Sequence, residues 1–315
     1  MTSPYLSVVI CTHNPRQDFI HQVLEALSKQ TLAISHWEMI VVDNASTVPL
    51  NQQLVDTGAY PEHMRIVVES QLGLTAARLR GYQEAQSDWI VYVDDDNVLA
   101  PTYLQAVYDI TQQYQNLGAF SGKSLPSFEM TPAPWISDFY NVLAIRDMGE
   151  EVLISAQIED SSKPEYPDYA PAGAGMVVNK TAFGQYVDRV KQDQRALALG
   201  RKGKKLTSGE DNDIVLTLFN RGWRVGYFPQ LQLTHLIAAS RLERNYMARL
   251  NRAAYRSWVQ VLDMHGIRHW SKIPSWSVLP RQIKAFLTHQ AWRSPEAYIH
   301  WSGSCGQIEA RGTLS

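Results

Sequence analysis

Residues 87–104 read SDWIVYVDDDNVLAPTYL: strand-forming apolar side chains running straight into three consecutive aspartates. Adjacent like charges repel, so Asp94, Asp95 and Asp96 impose a standing cost unless something cationic meets them where the strand ends. One of the three is explicable as an N-cap for a helix beginning near PTYLQAVYDI, but one side chain suffices for a cap and two charges are left over. A calcium loop is excluded: counted from Asp94, its glycine and glutamate positions are Leu99 and Gln105.

Upstream of this stretch the chain alternates between two periods. YLSVVICTHN is a short apolar run closed by turn-forming residues, the mark of a buried strand. RQDFIHQVLEALSKQT follows with Phe19, Ile20, Val23, Leu24 and Leu27 at helical spacing. WEMIVVDNAS reads as a second buried strand, MRIVVES as a third, GLTAARLRGYQEAQ as a helix and DWIVYVDDD as a fourth strand. This alternation predicts an α/β fold with a Rossmann-like, mostly parallel sheet flanked by helices. Ligands gather at the carboxyl ends of such strands, where Cys11 to Asn14, Asp43 with Asn44, and Asp94 to Asp96 all fall. Glycine phosphate loops are missing: LGAFSGKS (117–124) is one residue too short for a P-loop, and GAGMVV (173–178) has Val178 where a third glycine would stand. A metal held by carboxylates would meet phosphate charge instead.

Composition agrees with an ordinary globular chain of 315 residues, 45% hydrophobic and 19% charged. A formal net charge of -2 argues against broad nucleic-acid binding. Cys11 and Cys305 have neither metal nor redox spacing, which fits a reducing cytoplasm. The N-terminus carries no secretory pattern, and no stretch is apolar for long enough to span a bilayer. A cytoplasmic protein, at most peripheral on the inner face of a membrane, is expected.

The ordered set SVVICTHNPR, EMIVVDNAS, LGLTAARLRGYQEA, WIVYVDDDNVLAPTYL, APAGAGMVVNK and SGEDNDI, across roughly residues 5 to 240, resembles the family 2 glycosyltransferases of GT-A fold. The resemblance implies an inverting hexosyltransferase with a nucleotide-sugar donor, favoured as UDP through Asp43, and Mn²⁺ or Mg²⁺. It further implies that Thr12, with its CTHN neighbours including Asn14, lies along base and ribose, that Asp43 meets the uracil edge, and that Arg78 lies near base and diphosphate. The family's D-x-D falls on Asp94, toward the ribose, and Asp96, on the metal, with Asp95 in the variable middle place. Two departures stand out: Asn97, where many members carry a further aspartate, and Leu79 with Arg80 after Arg78, where asparagine is common.

In the second half, Gly173, Ala174 and Gly175 of YAPAGAGMVVNKTAF either let backbone approach a ligand or form a bulge or tight turn. The resemblance sets this segment beside donor sugar and acceptor. SGEDNDIVLTLF places Ile214, Val215, Leu218 and Phe219 on a helix stripe, with Glu210, Asp211 and Asp213 in the first turn, where the helix dipole alone would favour acids. By resemblance Asp211 is the catalytic base and Glu210 its support, leaving Asp213 as an ordinary helix-turn charge. His235, closing the strand VGYFPQLQLTHLI, reads as a structural histidine or an extra metal ligand. The basic segment with Arg195, Arg201, Lys202, Lys204 and Lys205 reads as a solvated loop, a lid over diphosphate, or a contact for anionic lipid.

The predicted division is a transferase domain over 1–238, its nucleotide half about 1–100 and its acceptor half about 101–238, and a helical appendage over 239–315. The appendage, rich in Trp with interspersed Lys and Arg over 267–301, reads as docked helices or as a membrane-interface segment that shapes the choice of a glycan or lipid-linked acceptor. Nucleotidyl transfer to a sugar phosphate is the rival enzyme reading, and a non-catalytic sugar-nucleotide or glycan-binding module the rival from another class. The first lacks its glycine loop, and the second has no need of a base.

Overall fold

β1 (Leu6–Thr12) is buried at every position, and its side chains divide between the two faces of the sheet as the pleat requires. Leu6, Val8 and Ile10 pack in one apolar cluster; Val9 and Cys11 pack in another on the opposite face. Both faces of the sheet are therefore covered, which is why the strand reads as a continuous apolar run. The structure is a computed structural model, and it describes residues 4–54, 64–156, 166–203 and 205–314. Lys204 of the basic segment lies outside the described residues.

After α1 (Gln17–Ser28), β2 (Trp37–Asp43), α2 (Leu50–Leu54), β3 (Met64–Val68), α3 (Leu74–Glu84), β4 (Trp89–Asp94) and β5 (Asn97–Leu99) follow in turn. α4 (Tyr103–Gln113) and β6 (Leu117–Phe128) come next, then β7 (Leu153–Ile154), β8 (Val177–Asn179), α5 (Lys180–Gln192), α6 (Glu210–Phe219) and β9 (Arg224–Ile237). One sheet joins the strands in the order β3-β2-β1-β4-β8-β6-β9-β5, with β7 on β9. β1, β2, β3 and β4 run parallel; β8 reverses against β4 and β6, and β5 and β7 against β9. The expected α/β architecture with a mixed sheet is thus present. β3 is not a buried strand: it forms the edge, all but its last residue are half-buried, and Val68 is 63% exposed.

Chain order reverses direction at β1, with β2 on one side and β4 on the other. A crevice opens at such a switch point. Register makes the neighbours explicit: Thr12 lies opposite Asp43 and Cys11 opposite Asp94. α3 is drawn tight against β1 at Gly81, where a Cβ would stand 2.4 Å from Val9 Cγ1. That closeness carries Arg78, one turn earlier, to the carboxyl end of the sheet.

Past β9, a short 3-10 turn (Ala239–Leu242) leads into α7 (Arg244–Met264), α8 (Val278–Thr288) and α9 (Pro295–Thr313), the expected C-terminal helical part. α7 and α9 dock onto the sheet domain: Met247, Ala248, Leu250 and Ile299 share a cluster with Ile136, Phe139, Leu143 and Ile237. A second contact groups Val261 and Leu262 with Leu199 and Leu216. Both cysteines are free and buried.

Candidate active site

β4 ends at Asp94, Asp95 and Asp96 form the turn, and β5 begins at once with Asn97. The aspartates do not cap α4, whose N-cap is Thr102. β5 pairs antiparallel with β9, with Asn97 opposite His235, and Leu236 N–H donates to the Asp96 carbonyl at 2.8 Å. This pairing carries Asp96 to His235, whose Nε2 stands 3.3 Å from Asp96 Oδ2.

The triplet borders a cleft of about 280 Å³ lined also by Thr12, Arg78, Gly173, Ala174, Glu210, Asp211 and His235. Thr12 donates its hydroxyl hydrogen to Asp95 Oδ2. Arg78, 3% exposed, is the buried cation of the site: Nη1 lies 3.3 Å from Glu210 Oε2 and Nη2 3.7 Å from Asp94 Oδ1. Burial opposes its charge, but Glu210 and Asp94 together hold Arg78 protonated above the usual guanidinium range. Asp211, half-buried, accepts the Gly173 N–H at Oδ2 (3.3 Å) and the Asn212 N–H at Oδ1 (3.0 Å).

The acids are driven apart in proton affinity. Burial, then repulsion from Asp96, pushes Asp95 up to about 7 against the Thr12 bond. Asp94 is also raised, by burial against the pull of Arg78. For Asp96 burial works upward too, yet His235 and Arg241 outweigh it and hold the carboxyl below its ordinary value. Glu210, 2% exposed, is lifted to about 7 by burial although Arg78 pulls the other way.

Several expected residues stand elsewhere. Asp43 does not line the cleft: its oxygens accept the N–H groups of Ser46 (3.0 Å) and Leu50 (2.9 Å), so the end of β2 uses the carboxylate to fasten its own loop. Asn14, exposed and left-handed at φ 51, also lies outside the cleft, its N–H on Ser46 Oγ and its Oδ1 accepting from Thr47. Gly175 sits behind the site at φ +66, where a Cβ would meet Leu233 Cδ2 at 2.5 Å; its carbonyl accepts from Tyr103 Oη at 2.6 Å. Asp213 is no ordinary helix-turn charge: fully buried, it meets Arg189 at 2.6 Å and His265 at 2.7 Å.

Cys11, His13 and Asn44, which the sequence sets at strand ends, line the cleft as well, and so does one residue with no signal of a site in the sequence, Arg241. Arg241 Nη1 is 2.9 Å from Asp96 Oδ2 and 3.1 Å from His235 Nε2. It belongs to the 3-10 turn after β9, so the division expected between 238 and 239 passes between two residues of one site. Arg201 also borders the cleft.

Among the described residues no three His, Cys, Asp or Glu side chains are grouped as a metal cage. Even so, Asp96 Oδ2 and His235 Nε2 converge on the one point to which Arg241 brings its guanidinium, and both are ligand types that suit a divalent ion. The buried Oδ1 of Asn97 has no hydrogen-bond partner beside them. The donor set fits a cation at the end of β4.

An α/β sheet with acids gathered on a cleft at its switch point defines a class of ligand-binding α/β domain. Within that class, the profile described as Glycosyl transferase family 2 matches residues 7–176, more than half of the chain, and the chain belongs to this family. It is 36% identical over 104 residues (32% of this chain, 35% of the relative) to the uncharacterized glycosyltransferase YwdF of Bacillus subtilis (strain 168). It is 23% identical over 189 residues (56% of this chain, 29% of the relative) to the poly(ribitol-phosphate) beta-glucosyltransferase of Bacillus spizizenii. The chain spans half or less of the length of the curated relatives it matches. Among solved structures, S. aureus TarS 1-349, crystallised in complex with UDP, superposes with a TM-score of 0.53 at 13% identity, over 98% of this chain and 90% of that one. The likeness is one of fold.

Proposed function

We propose that the protein is an inverting glycosyltransferase that moves a sugar from a nucleotide-diphosphate donor, UDP-linked by preference, to an acceptor hydroxyl in polysaccharide or glycoconjugate synthesis. One observation carries the reading: Asp211, Glu210, Arg78 and the Asp94–Asp96 turn, contributed by distant parts of the chain, border one cleft. The relatives support the class, and the UDP bound to the structurally similar TarS supports the donor type.

In this reading the acceptor oxygen forms its bond to the anomeric carbon while the bond from that carbon to the diphosphate breaks, and the electron pair leaves with the nucleotide. Asp211 takes the hydroxyl proton. The Gly173 N–H fixes one of its oxygens, leaving the carboxylate turned to the cleft that Gly173 and Ala174 also border. Arg78, held charged, and Arg201 face the phosphates and stabilise the charge that develops there. Asp96 and His235 would hold Mn²⁺ or Mg²⁺, which when bound supplies further positive charge against the diphosphate.

The test is turnover by Asp211→Asn with a panel of nucleotide sugars. Turnover is expected to fall by about 10² to 10⁴ while donor affinity, measured by calorimetry, stays unchanged. Unaltered turnover would remove Asp211 from the mechanism.

A further inference from the structure

Along α8, Leu279, Ile283 and Leu287 are 64%, 55% and 59% exposed. Spaced four residues apart, they share one side of the helix. Trp276 before the helix is 80% exposed and Trp292 after it 59%. No residue of α8 is buried. Its inner side is nonetheless fixed: Phe286 packs against Trp301 at 5.2 Å between centroids, and Trp301 Nε1 donates to the Gln282 carbonyl at 3.0 Å. The stripe is thus held outward on a docked helix.

Along the segment that carries the stripe, charge is of one sign; the acid nearest α8, Glu309 of α9, accepts from Gln282 and is paired with Arg252. Between Asp263 and Glu296 there is no acidic residue, while Arg268, Lys272, Arg281, Lys284 and Arg293 are basic. Lys272, Arg281, Lys284 and Arg293 are exposed, and among the described residues no salt bridge reaches them. A second copy of the chain would bring the same cations face to face across a two-fold contact, which opposes self-association. A segment with an outward apolar stripe, a tryptophan at each end of it and exposed cations without salt bridges, Lys284 on the flank of the stripe itself, matches an anionic lipid surface on all three counts.

We propose that α8 lies in the interface of an anionic phospholipid bilayer. Leu279, Ile283 and Leu287 enter the boundary between headgroups and acyl chains, Trp276 and Trp292 sit at headgroup level, and Lys272, Arg281, Lys284 and Arg293 meet lipid phosphates. The assignment stands on exposure and charge, apart from the transferase chemistry.

Co-sedimentation of the whole chain with vesicles tests it. The protein is expected to pellet with mixed phosphatidylglycerol–phosphatidylcholine vesicles, to stay in the supernatant with pure phosphatidylcholine, and to be released by salt. Ile283→Glu combined with Leu287→Glu is expected to weaken binding by at least about tenfold. Because both side chains are already exposed, the melting temperature should not move. Arg281→Glu with Lys284→Glu should remove the salt-sensitive part. Absence of binding to the anionic vesicles at low salt, or binding indifferent to the Ile283→Glu/Leu287→Glu pair, overturns the proposal. So does a concentration-dependent dimer abolished by that pair, because a second copy would then cover the stripe.

Discussion

Glu210 is a buried carboxyl, and neither of its oxygens accepts a hydrogen bond. Its folded form keeps the proton up to about 7, whereas an ordinary glutamate releases it near 4.5. Between those values the folded chain binds more protons than the unfolded one, so this group makes stability fall as pH rises. Glu210→Gln is expected to remove that fall: the melting temperature of the variant relative to the parent should climb between about pH 5 and pH 8, by the equivalent of roughly 2 kcal/mol. A flat difference would mean that Arg78 keeps Glu210 ionised throughout. At Asp96 the competition is between cations. Arg241→Met frees Asp96 Oδ2 and His235 Nε2, so Mn²⁺ binding followed by electron paramagnetic resonance is expected to tighten by about tenfold. Unchanged affinity would place the ion elsewhere.

Asn44 links three loop segments through one amide. Its Nδ2 donates to the carbonyls of Glu69 (3.1 Å) and Gln71 (2.8 Å), and its Oδ1 accepts the Gly73 N–H (2.8 Å). The ends of β2 and β3 and the start of α3 are thereby fixed relative to one another. Asn44→Asp sets a carboxylate against two carbonyl oxygens and is expected to cost about 2–3 kcal/mol in urea unfolding. Asn44→Ala, which only deletes the bonds, should cost less. Elements such as β1, β2 and β4 are legible in the sequence because burial on both faces writes a continuous apolar run. β8 is read from the apolar MVV before a helix start, whereas β5 and β7, three and two residues long, leave no period to read. The acid triplet is legible for a related reason, since charges that follow a buried run without relief demand an explanation. The roles suggested for Asp43 and Asn14 did not survive as cleft contacts because proximity to a strand end does not settle which way a side chain turns. Arg241 had no local pattern at all; only the pairing of β5 with β9 brings the chain around to it.

The helical C-terminal part belongs to the same packed body as the sheet. A chain ending at residue 238 would uncover Ile136, Phe139, Leu143 and Ile237, together with Leu199 and Leu216. Such a chain is expected to aggregate, or to bind an apolar dye, more strongly than the full chain. Light scattering during purification would show it, and a monodisperse, cooperatively melting fragment would refute it.

The residue nearest the Asp96 carboxylate from that helical part, Arg241, occupies a turn only four residues long, ending two positions before α7 begins. A cation that draws the guanidinium away from Asp96 removes one tie between the cleft and the start of a 21-residue rod. Events in the helices are accordingly expected to alter affinity in the cleft, and the reverse. Amide exchange over 239–247 that quickens when manganese is added would register the connection from its other side.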